Sequence, residues 1–173
     1  MNTNNLPIAL PGIQRKIVIL LSFLCFVVPF LLPGNQVLTG TLVNASLFLS
    51  AALLPTKFFF PLIVLPSLAS LSRGVIFGPL TPFLYFFIPF IWLGNLSLIF
   101  VFRKTNVRLG SVLGIFLASM VKALFLFAFA HLYFTYKIVP QVFLTTMGIN
   151  QFYTALLGGL VAIFILKKDD YRL

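Results

Sequence analysis

The chain has 173 residues, 61% of them hydrophobic and only 8% charged, with a mean hydropathy of +1.13. A water-soluble domain carries about a quarter charged residues, so this chain has too few to cover a water-facing surface. Its net charge of +10 comes from Lys and Arg at the ends of apolar runs, the pattern of a protein partnered by a lipid bilayer and not by nucleic acid.

The apolar runs predict an all-α polytopic membrane protein, a single bundle of six transmembrane helices over 15–168. It lies between an N-terminal cytoplasmic segment, 1–14, and a cytoplasmic tail, 169–173. Arg15 and Lys16 precede the first span, 17–32. No small-residue cleavage site follows it, so it reads as retained and not as a signal peptide. The turn Pro33-Gly34-Asn35 leads to the second span, 37–54, which Pro55 and Lys57 close. The third, 58–71, is short and carries Pro61 and Pro66, whose rings remove two backbone donors and predict a kink shielded by neighbours. Residues 78–82, Gly-Pro-Leu-Thr-Pro, read as a turn or partly extended loop. The fourth span, 83–102, holds Trp92 and Asn95, is kinked at Pro89, and gives way to a loop with Arg103, Lys104 and Arg108. The fifth, 111–136, is long enough to cross a hydrocarbon core of about 30 Å with some tilt. Lys137 and Pro140 mark its exit, and the sixth, 142–166, stops at Lys167 and Lys168.

Loop charges orient such a bundle. Six spans put both termini on one side, together with nine of the 12 basic residues: Arg15, Lys16, Lys57, Arg103, Lys104, Arg108, Lys167, Lys168 and Arg172. Arg73 and Lys137 lie on the other side and Lys122 inside a span. The positive-inside rule then predicts a multi-pass protein of the cell membrane, a prokaryotic inner or plasma membrane, with both termini cytoplasmic.

Lys122 is the sharpest functional clue. A lysine at membrane depth costs about 2.5–3.5 kcal/mol on insertion scales, and such residues face a bundle interior or a cavity. Asn44, Arg73, His131, Asn150 and Gln151 join it in the outer half of the bundle, with Asn95 deeper toward the cytoplasm. For any single Asn, interhelical glue is the simpler account, and Lys122 can alternatively snorkel or pair with a carbonyl. For the set, a polar cavity open to the outside accounts better. With basic groups and no carboxylate in any span, its expected guest carries negative charge. Trp92, Tyr85 and Tyr153 are candidates for stacking on a ring.

The same inventory argues against an enzyme. Its only acids, Asp169 and Asp170, are in the tail, and one His with one Cys (His131 and Cys25) makes neither a metal site nor an acid/base pair. No cofactor is expected. Small residues recur every four positions at Gly110, Gly114 and Ala118, at Ser46 and Ser50, at Ala155 and Gly159, and at Gly158 and Ala162. That spacing lets helices approach closely, either for packing or for docking a partner's helices.

Six short spans with a proline-disturbed third and an outward polar pocket resemble the S components of energy-coupling factor (ECF) transporters. The stretches that carry the likeness are 38–54 (LTGTLVNASLFLSAALL), 65–74 (LPSLASLSRG), 89–95 (PFIWLGN), 120–127 (MVKALFLF) and 147–159 (MGINQFYTALLGG). The resemblance implies substrate capture for uptake of a small, vitamin-like solute, with an ECF coupling membrane subunit and two cytoplasmic ATPases as partners. In that setting Lys122 and Arg73 would hold the anion, and Asn44, His131, Asn150 and Gln151 would hydrogen-bond the solute. The family spaces alanines along its first helix for docking, whereas 17–32 carries none. A non-transport scaffold or assembly protein, with buried polar residues as glue, is the competing reading.

Overall fold

A computed structural model describes residues 11–32, 34–73 and 78–168, and these contain helices and no strand. The helices are α1 (Pro11–Leu31), α2 (Gln36–Leu53), α3 (Phe59–Arg73), α4 (Ile88–Leu109), α5 (Ser111–Thr135), α6 (Val142–Met147) and α7 (Ile149–Lys168). Of the expected cytoplasmic ends, 1–14 and 169–173, residues 1–10 and 169–173 lie outside the described residues, and 11–14 belong to α1. Five stretches are long and apolar enough to cross a membrane: Gly12–Leu31, Gln36–Leu53, Leu80–Leu109, Ser111–Thr135 and Val142–Lys167. The apolar Thr56–Ser72 is shorter. Large apolar side chains crowd the outside, among them Phe23, Phe60, Val112 and Phe164, each more than 60% exposed. Such a belt in contact with water would be a severe aggregation liability, and it suits a lipid-facing surface.

At the centre stands α2. Every residue from Val43 to Leu53 is buried, so it is wrapped on all sides, as a helix without a polar face must be. Asn35 starts it, its side-chain oxygen accepting from the Leu38 N–H at 3.0 Å. At its other end Arg103 donates from Nε to the Ala51 carbonyl at 2.7 Å and from its guanidinium to the Leu54 carbonyl. The same guanidinium lies 4.6 Å from the centre of the Phe59 ring. A cation is favourable against the last carbonyls of a helix, which have no partner inside it.

Residue contacts fix the directions. Gly40 meets Thr154 and Gly158 meets Asn44 and Ala45, so α2 and α7 run parallel. Gly94 meets Leu126 and Gly114 meets Asn106, so α5 runs antiparallel to α4. Trp92 bonds Ser67 while Asn95 bonds Ile63, which makes α3 antiparallel to α4. This alternation collects Arg15, Lys16, Lys57, Arg103, Lys104, Arg108 and Lys167 at one end of the bundle.

Several boundaries differ from the sequence reading. Pro61 is the third residue of α3, where its missing N–H has no intrahelical partner anyway, so Pro66 alone interrupts that helix. The fourth span begins as a 3-10 helix, Gly78–Phe87, and Pro89 falls in the first turn of α4 instead of kinking its middle. Arg103, Lys104 and Arg108 are on the last turns of α4, not in a loop, because a single residue, Gly110 at φ 85°, makes the turn into α5. The sixth span is broken at Gly148 into α6 and α7. A Cβ there would sit 2.7 Å from the Leu144 carbonyl and 2.8 Å from the Phe127 ring, closer than a side chain tolerates.

Candidate functional site

The site is assembled at Lys122, halfway along α5 and 3% exposed. Its ammonium donates to Asn44 Oδ1 at 2.7 Å and to Asn95 Oδ1 at 2.8 Å. Each amide is held by its other end. Asn44 Nδ2 donates to Thr154 Oγ1 at 3.3 Å, and Asn95 Nδ2 donates to the Ile63 carbonyl at 3.1 Å. Since each amide nitrogen is engaged elsewhere, both oxygens point at the lysine. The network ties α2, α3, α4, α5 and α7 together around one cation.

Local sequence explains how the network closes. Pro66 has no N–H for the preceding turn of α3, and its ring crowds the carbonyls there. In that same turn the Ile63 carbonyl accepts from Asn95 Nδ2. Gly40 and Gly158 bring α2 against α7 closely enough for Asn44 to reach Thr154. A Cβ on Gly158 would lie 2.7 Å from the Ala45 nitrogen and from the Thr41 carbonyl.

Lys122 is the floor of a cavity of about 100 Å³. Its upper walls come from Pro29 at the end of α1, Gln36 and Thr39 at the start of α2, Ser70 late in α3, and Met147 and Gln151 at the α6–α7 break. All of these belong to the end of the bundle opposite the basic one. Near the rim, Gln36 Nε2 donates to the Thr146 carbonyl at 3.2 Å and its Oε1 accepts from Asn150 Nδ2 at 3.1 Å. Among the described residues the cavity is lined by one cation and no carboxylate.

Of the residues singled out from sequence, Asn44, Lys122 and Gln151 line this cavity. Asn150 is one contact back, on Gln36. Trp92 does not line it; its indole Nε1 donates to Ser67 Oγ at 2.7 Å and so braces a residue that does. His131 is exposed, against Phe127 with ring centres 6.1 Å apart, and is not among the lining residues. Tyr85 and Tyr153 are likewise exposed, at 63% and 57%, on the outside of the bundle. Arg73 ends α3, and its side chain lies outside the described residues.

Asn95 is a correction. Expected deeper toward the cytoplasm, it instead meets Lys122 directly, because α4 packs antiparallel on α5 with Gly94 against Leu126 and Asn106 against Gly114, which sets Asn95 slightly nearer the cavity end than Lys122. Thr39, Ser67, Ser70 and Thr154 were not singled out. A signal existed for two of them: Ser67 and Ser70 are three apart on a proline-broken helix, hence on one face. No family model, curated protein or solved structure matches the chain.

Proposed function

We infer that the chain is a substrate-capture subunit that takes up a small anionic solute from outside the cell, as part of an ATP-driven importer of the ECF type. On this reading Thr56–Ser72 is a sixth, short crossing, and both termini are cytoplasmic. A coupling membrane subunit and two ATPases then supply the energy. The observation that carries it is the placement of Lys122: a cation with no carboxylate near it, at the floor of a cavity at the end opposite the basic residues. Charge asymmetry makes that end external, and an unpaired cation reached from outside favours an anion. The chain itself carries no nucleotide-binding glycine loop, so energy would come from partners.

The scaffold reading is favoured by one specific observation, the two amide oxygens already on the ammonium. The two readings separate on Lys122→Met, which keeps length and removes charge. Under capture, native mass spectrometry and thermal-shift screening against anionic vitamins and their precursors find a ligand for the wild type. That ligand is lost in a Lys122→Met protein that remains folded. ATPase subunits co-purify from native membranes. A folded wild type that no anion stabilises, and that brings no ATPase with it, would refute capture and leave the scaffold.

A further inference from the structure

The hydroxyls lining the cavity have committed their hydrogens elsewhere, and this limits what a guest can offer them. Thr39 Oγ1 donates to the Leu32 carbonyl at 3.0 Å, Ser67 Oγ to Val64 at 2.9 Å and Ser70 Oγ to Pro66 at 2.7 Å. What these hydroxyls can present inward is acceptor lone pairs, two each on Thr39 and Ser70 and one on Ser67, whose other accepts from Trp92. The amides of Asn44 and Asn95 are used at both ends, as described above. Two donors remain. An ammonium has three protons and Lys122 gives two of them to the asparagines, leaving one. The side-chain amide of Gln151 makes no hydrogen bond among the described residues. The lining therefore has a donor at its floor, Lys122, and above it acceptor oxygens at Thr39, Ser67 and Ser70 together with the Gln151 amide.

Size and shape narrow the guest further. A cavity of about 100 Å³ holds a few to about ten water-sized atoms, below the usual 300–1,000 Å³ of drug-sized sites. Among the described residues no aromatic side chain lines it, and Trp92, Tyr85 and Tyr153 stand elsewhere, so none of these three is placed to stack on a ring. The remaining wall is aliphatic, with Val43, Leu84 and Met147. A cationic amino group on the guest would sit in a pocket that already contains an ammonium and has no carboxylate to receive it.

Resting on the capture reading, we propose that the solute is a short acyclic hydroxycarboxylate: its carboxylate on Lys122 at the floor, its hydroxyl donating to the serine and threonine oxygens above. The test uses the full-length protein in lipid nanodiscs, with binding followed by native mass spectrometry and thermal shift. The probes are lactate, propionate, lactamide, alanine and nicotinate. Lactate is expected to bind at least tenfold tighter than propionate, which lacks the hydroxyl, and than lactamide, which lacks the charge. Alanine and nicotinate should bind more weakly still, and Lys122→Met should erase the advantage of lactate over lactamide. The lactate–lactamide comparison on the wild type decides the charge requirement even if the variant does not fold. Equal binding of propionate and lactate overturns the assignment of the acceptor oxygens. Lys122-dependent binding of nicotinate without lactate overturns the proposal while capture of an anion stands. If neither these probes nor larger anions bind, both fall.

Discussion

Lys122 and its two asparagines form one unit, and its parts are expected to be non-additive. Asn95→Leu alone leaves the buried ammonium with one acceptor fewer, and hydrogen bonds to charged groups are worth about 1.5–3 kcal/mol. In a Lys122→Met background only the bond to the Ile63 carbonyl is lost, and the same change should cost about 1 kcal/mol or less. Thermal melts of the four proteins give the coupling; a coupling of zero means the ammonium does not depend on Asn95. The importance of Lys122 was legible in the sequence because a charge in an apolar run is conspicuous at any register. The partners were less so. Asn44 was placed by counting along a regular helix, and α2 is one. Asn95 was misplaced because the height at which α4 packs on α5, with Gly94 against Leu126, is not written in either helix alone. His131 was included for its type and depth alone, and nothing in the local sequence says which way round α5 it points.

Between elements, closeness of approach decides whether the site exists. A Cβ on Gly158 would meet backbone of α2 at 2.7 Å, and backbone cannot rotate away as a side chain can. Gly158→Ala should therefore part α2 from α7, weaken the Asn44–Thr154 bond and destabilise by about 1–3 kcal/mol. Gly12→Ala is the matched control: nothing lies within 4 Å of its Cβ, and alanine favours a helix. Equal melting temperatures for the two variants would contradict the packing described. The small-residue spacing was visible in the sequence, but which helix each glycine faced was not. Gly158 and Gly159 are adjacent and meet α2 and α5 respectively. The spans expected at 37–54, 58–71 and 111–136 are helical close to those bounds. The kinks expected at Pro61 and Pro89 were misplaced, since a proline in a first turn and a proline in mid-helix look alike until the start of the helix is known.

At the scale of the molecule, alternation of helix direction predicts where each turn lies. Reporter fusions at Asn35 and at Lys137 should read external and one at Gly110 cytoplasmic; a cytoplasmic signal at Lys137 would refute the orientation on which capture from outside rests. The order of the Lys122 network along the chain bears as well on how the protein is made. Translation delivers Asn44, Ile63 and Asn95 before Lys122, so the acceptors are available in the membrane when the charge arrives. Synthesis thus presents α5 to a prepared seat, and the most expensive residue of the chain never has to enter lipid unaccompanied. Nascent chains halted beyond Lys137 should retain α5 in the bilayer, whereas Asn44→Leu with Asn95→Leu should let it slip into water while α1 to α3 stay put. Glycosylation mapping of such arrested chains would reveal the slippage, and equal retention in both would mean that α5 enters the membrane by its own hydrophobicity.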